Sequence, residues 1–278
     1  MRNVLIFILI VLCACTSNLH DNKDRYIVLS PEIAELLTYL GVSEKIVGIT
    51  AECDYPPTLS EKEIIGNFGQ INLENVISLK PSIVFTTALE QADITNQLSK
   101  LNIKTVQFYP SNIIDLVGVI DSLGVLTNSQ PAADSLNKFI LTNFVEFEKK
   151  AQDLKNKQKA YIEIYGDPIM SVSNDSYVGQ LLYYAGMENI FETLEREYSR
   201  VSAEDVVKLN PDIIILTYPG MSAKDVANRK GWNVINAVRG RKIYTIDDIN
   251  PDLILRATPR NVDGVKALQN LLNQENIF

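Results

Sequence analysis

Histidine is almost missing. The 278-residue chain has one, His20, and three cysteines, Cys13, Cys15 and Cys53. That shortage excludes most zinc sites and every Ser-His or Cys-His catalytic set in the body of the chain. No metal site or cofactor is expected. There is one tryptophan, Trp232. Basic residues are outnumbered, 26 against 34 acidic, for a formal charge of −8. Phosphate binding needs a basic surface, so nucleic acid is not an expected partner. The longest unbroken apolar run, Val4 to Leu12, is too short to span a bilayer. The only dense cluster with catalytic potential is Glu52-Cys53-Asp54, which no general base accompanies, so a surface hydrolase is a remote alternative and the chain is not expected to be an enzyme.

What is present begins with an export signal. Arg2, the apolar run and a small residue before Cys15 match a secretory leader. Leu12-Cys13-Ala14-Cys15 resembles the lipidation box of bacterial lipoproteins, which implies acylation of Cys15 and removal of residues 1–14. Residues 15–24 are polar and read as a flexible tether. The expected location is outside the cytoplasm, lipid-anchored to a bacterial membrane. Cys53 is then the sole cysteine of the body, so no internal disulfide is expected.

The body is built around a stretch that occurs twice without a gap, 130 residues apart: Asn72 to Thr87 and Ser202 to Thr217. Each copy reads as a capped helix start, an acidic residue (Glu74, Glu204), an apolar face, a proline (Pro81, Pro211) and a β-branched strand. Leu36-Leu-Thr-Tyr-Leu-Gly41 is echoed by Leu181-Leu-Tyr-Tyr-Ala-Gly186. Between the copies a helix is predicted from Pro131 to Lys157, with Leu136, Phe139, Ile140, Phe144, Phe147, Ala151 and Leu154 on its apolar face. Strands alternate with helices on either side, which predicts parallel sheets. The fold class is α/β: two Rossmann-like lobes, 25–127 and 158–278, joined by one long backbone helix at 128–157. Ligands of such sheets bind beyond the carboxyl ends of the strands. Here those ends carry Tyr, Pro and small polar residues.

The ordered motifs Ile27-Val-Leu-Ser-Pro31, Glu35, Gly41, Val47-Gly-Ile-Thr50, Cys53-Asp-Tyr-Pro-Pro57, Gly66, Gly69, Asn72-Leu-Glu74 and Leu79-Lys-Pro81 resemble the helical-backbone (class III) substrate-binding proteins of ABC transporters. That family imports iron–siderophores, haem and vitamin B12. Asp54-Tyr-Pro-Pro57 and Arg256-Ala-Thr-Pro-Arg260 are most similar to the vitamin B12 branch. The resemblance implies a rigid two-lobe protein, expected to act as a monomer, that carries a corrinoid, or alternatively a ferric siderophore or haem, to permease subunits. It implies docking through Glu74 and Glu204, and ligand contacts at Pro31, Glu52, Tyr55, Phe68, Tyr198, Asp252 and Arg256. For a ferric chelate, Arg200 and Arg256 would face the anion. The branch's tryptophans are absent: Phe68 and Tyr198 stand in for two, Thr87 or Ala88 replaces a third, and Glu52 sits at a tyrosine position.

Overall fold

The computed structural model describes residues 24–87 and 91–273. The leader, Cys15, His20 and Ala88 lie outside the described residues.

In the first half, β1 (Tyr26–Val28) leads into α1 (Pro31–Tyr39), then β2 (Ile46–Ile49) and β3 (Glu63–Ile64). A small hairpin follows, β4 (Gly66–Asn67) and β5 (Gln70–Ile71), then α2 (Leu73–Ser78) and β6 (Ile83–Thr86). The half ends with α3 (Ala92–Lys100), β7 (Thr105–Gln107) and α4 (Ile113–Thr127). Its sheet has the order β3-β2-β1-β6-β7 and is parallel throughout. The backbone helix is α5 (Gln130–Asp153).

The second half opens with β8 (Gln158–Glu163), β9 (Tyr165–Gly166) and β10 (Ile169–Val172). Then come α6 (Tyr177–Tyr184), β11 (Met187–Asn189), β12 (Tyr198–Arg200), α7 (Ala203–Leu209) and β13 (Ile213–Leu216). The remaining elements are α8 (Ala223–Ala227), α9 (Asn236–Arg239), β14 (Ile243–Tyr244), α10 (Asp252–Leu255) and α11 (Asn261–Asn273). The main sheet, β11-β8-β13-β14, is again parallel, and β12-β10-β9 form a small antiparallel sheet beside it.

Alternation along each strand decides which core it feeds. Tyr26 and Val28 of β1 join one cluster, while Ile27 faces the other way, toward Val76 of α2 and Ile94 and Leu98 of α3. Ala160 and Ile162 of β8 join that same first cluster, while Tyr161 packs with Val206 and Trp232 in a local core. One core therefore runs under both sheets, and Ile140, Phe144 and Phe147 of α5 are part of it. The lobes share their interior.

The repeat folds as two matching units. Asn72 and Ser202 cap α2 and α7 by accepting from the backbone N–H of Asn75 and Asp205, at 3.1 and 3.0 Å. α2 ends at Ser78, three positions before Pro81, and α7 at Leu209, two positions before Pro211. Lys80 and Asn210, the residues directly before the prolines, are left-handed, with φ of 46° and 50°, so neither continues the right-handed helix, which a following proline disfavours. Gly41 and Gly186, which end the second echoed motif, are also left-handed, at 76° and 85°. A side chain is strained at both positions.

Two expectations about α5 are corrected. Phe139 and Leu154 are exposed, not on the buried stripe, which consists of Ala133, Asn137, Ile140, Phe144, Phe147 and Ala151. Phe139 is turned about 100° from Ile140, toward solvent. The buried Asn137 is partly satisfied: its amide NH2 donates to Asp121 at 2.6 Å and to the Val117 carbonyl at 3.2 Å, while its Oδ1 has no partner among the described residues. The helix also ends at Asp153 instead of Lys157, because Leu154 is extended and turns the chain toward β8. Its 24 residues span about 36 Å.

Candidate functional site

The loops at the carboxyl ends of the two parallel sheets meet between the lobes. After β2, the segment Ala51 to Pro57 is pinned by Cys53, which is buried. Its N–H donates to the Thr50 carbonyl at 3.0 Å, and its thiol lies 3.5 Å from Thr50 Oγ1. Burial pushes this thiol up to about 11, so it is a packing residue and no nucleophile. Pinning Cys53 presents Glu52, Asp54 and Tyr55 to the opposite lobe.

What they meet is an ion cluster. Glu35, on the buried face of α1, has no exposed surface. Arg260 donates to it twice, Nε to Oε2 at 2.8 Å and Nη2 to Oε1 at 2.6 Å. Arg256 Nη1 donates to Glu35 Oε1 at 3.2 Å and to Asp54 Oδ1 at 2.8 Å, and Nη2 lies 3.2 Å from Asp252 Oδ2. The Arg260 guanidinium covers the Tyr55 ring at 3.8 Å. Burial raises the Glu35 carboxyl above its ordinary range against the pull of both arginines. Burial alone would lower Arg256; its carboxylate partners more than offset that and hold it above its usual value.

The opposite flank of the cleft, beyond β7, is also bridged. Tyr109 donates to Glu197 at 2.8 Å, and the Gln180 amide donates to the Ser111 carbonyl at 3.0 Å. On the first lobe Phe68 sits in the β4–β5 turn, partly exposed. Gln91 fixes it: the buried amide donates to the carbonyls of Leu29 and Phe68, at 2.8 and 3.4 Å, and accepts from Thr87 N–H. On the second lobe Tyr198, also partly exposed, lies on β12 opposite Val172. Tyr165 and Tyr218 face each other with ring centres 6.3 Å apart. They fit together because residue 166 is glycine; a Cβ there would strike the Tyr218 hydroxyl. Below them Glu163 is buried and accepts two bonds from Arg229, at 2.6 and 2.7 Å, and one each from Tyr161 and Tyr218.

Tyr55, Asp252 and Arg256 thus come together at one flank, with Glu52 beside them, while Phe68 and Tyr198 lie partly exposed, one on each lobe. Pro31 is buried as the first residue of α1 and shapes the turn there. Arg200 is exposed at the end of β12, away from this cluster's contacts. Glu74 and Glu204 are exposed in the first turns of α2 and α7. Sequence motifs alone do not mark Glu35 as a site residue. Its signal was a carboxylate on the apolar stripe of Ile33, Leu36 and Leu37, a position that demands a charged partner. Among the described residues no group of three or more His, Cys, Asp or Glu side chains is placed to hold a metal ion, and no helix is long and apolar enough to cross a membrane.

Comparison with known proteins agrees with this fold. A family model described as periplasmic binding protein matches residues 27–249. The chain belongs to that family. A substrate-binding lipoprotein of an ABC transporter from Bacillus subtilis, YvrC, itself uncharacterised, is 30% identical over 251 residues, covering 88% of this chain and 78% of its own. The vitamin B12-binding protein of Vibrio cholerae is 25% identical over 255 residues, covering 88% and 87%. A possible iron-binding periplasmic solute-binding protein from Staphylococcus epidermidis superposes with a TM-score of 0.77 at 26% identity, covering 90% of this chain and 98% of that one. The chain is a substrate-binding protein of an ABC transporter, and its relatives are transport proteins, not enzymes.

Removing one partner of a buried ion pair leaves the others uncompensated. Glu35→Ala is expected to destabilise the protein by about 3–5 kcal/mol, read as a shift of the chemical denaturation midpoint.

Proposed function

We propose that this protein binds a corrinoid between its lobes and delivers it to an ABC permease while tethered through lipid on Cys15. The observation that carries the ligand class is the make-up of the walls. Phe68 and Tyr198 stand at equivalent positions of the two halves, 130 residues apart, and Tyr165 and Tyr218 extend the second wall. Flat rings suit a broad, flat, partly apolar macrocycle. The flank formed by Glu52, Tyr55, Asp252 and Arg256 supplies hydrogen-bonding groups for an amide-decorated edge. Similarity to the Vibrio cholerae protein along most of both chains supports the same reading.

A ferric siderophore or haem is the second reading. It is favoured by the half-exposed Tyr165, since a tyrosine oxygen can ligate ferric haem. Titration calorimetry with cyanocobalamin, haem and a ferric siderophore separates the two. Cyanocobalamin is expected to bind with a Kd of about 1 μM or tighter; binding of haem alone rejects the corrinoid.

Docking is assigned to Glu74 and Glu204. Both are exposed, and each sits on a helix start held by a side-chain cap, so each carboxylate has a fixed position on its lobe. Carboxylates so placed pair with arginines of a partner. The double variant Glu74→Arg, Glu204→Arg is expected to abolish uptake in cells while leaving ligand affinity within about twofold, since a rim charge governs association with the partner. Uptake that survives both substitutions removes the assignment.

A further inference from the structure

An anionic chelate, the alternative cargo, would have to meet Arg256, yet the charge of Arg256 is already compensated. Its guanidinium contacts Asp54, Glu35 and Asp252 at 2.8, 3.2 and 3.2 Å. The neighbouring Arg260 is committed to Glu35. Two arginines thus share three carboxylates. Glu52 adds a fourth acid, whose Oε2 is buried with no hydrogen-bond partner among the described residues. Glu32, bonded by Thr87, and Glu197, bonded by Tyr109, bring further carboxylates to the same cleft.

We infer that Asp54 determines specificity: by neutralising Arg256 it disfavours ligands bearing carboxylates or other anions and leaves the cleft to ligands without net negative charge. The inference deepens the corrinoid reading and rests on it for the place of the cleft. Asp54 is the deciding member because of its position. Its side chain is 63% exposed, against 29% for Asp252 and none for Glu35. Glu35 builds the lobe junction, and Asp252 shares a helix turn with Arg256. Asp54 alone meets Arg256 from the solvent side, where an incoming anion would compete for the same guanidinium edge. Removing its charge leaves the buried Glu35 pair in place.

The test uses the full mature chain carrying Asp54→Asn. Asp263→Asn serves as control, removing the same charge from an exposed site on α11 whose partner is Lys266 at 3.6 Å. Each protein is titrated with haem, which carries two carboxylates, and with cyanocobalamin, which carries no net charge. Asp54→Asn is expected to raise the ratio of haem to cyanocobalamin affinity about tenfold at low salt, and less at about 0.5 M salt, as one unit charge beside a partly screened anion should. Asp263→Asn should keep the wild-type ratio. A ratio within twofold of wild type in Asp54→Asn, or an equal rise in the control, overturns the inference. Tighter wild-type binding of haem than of cyanocobalamin defeats the corrinoid reading instead, and the Asp54 effect is still read from the ratio. Should the wild type bind neither probe, gain of haem binding by Asp54→Asn supports the inference and its absence overturns it.

Discussion

Glu35 is one carboxylate of the first lobe held by two arginines of the second, 221 and 225 residues further along the chain. A buried ion cluster contributes little net stability, because desolvation offsets most of the Coulomb attraction. Its value is geometric. Arg260 meets Glu35 through two parallel bonds, a pairing that tolerates little change of angle. With Tyr55 over one guanidinium and Asp54 and Asp252 on the other, the relative placement of the lobes is set on this flank. The shared core beneath both sheets and the Tyr109–Glu197 bridge beyond β7 set it elsewhere.

The regular and irregular parts of the chain do different jobs. The repeated units hold the lobes' shape and carry Glu74 and Glu204 on capped helix starts. The irregular loops after the strands carry the aromatic walls and the ion cluster. The family match spans both kinds of segment, residues 27–249.

The same division explains what was legible in the sequence. Helix caps, prolines and β-branched runs act within a few residues, so the two copies of the repeat and the parallel sheets could be read directly. The stripe of Ile140, Phe144 and Phe147 showed through its helical spacing. Phe139 and Leu154 misled because an apolar residue on a long amphipathic helix is not thereby buried. Their neighbours already filled the inward face. Arg256 was placed at the cleft by resemblance, but its partners were not foreseen. Ion pairs closed over more than 200 residues leave no periodic trace, and only the carboxylate on the apolar face of α1 hinted at one.

The bridges from Glu35 to Arg256 and Arg260 and from Tyr109 to Glu197 predict a cleft that admits ligand without closure of the lobes. Double electron–electron resonance tests it, with nitroxides at Lys100→Cys on α3 and Lys224→Cys on α8, both exposed, while buried Cys53 stays unlabelled. On adding saturating cyanocobalamin, the mean distance should stay within about 2 Å of its ligand-free value, the behaviour of a preorganised binding site. A larger displacement on binding would contradict the account.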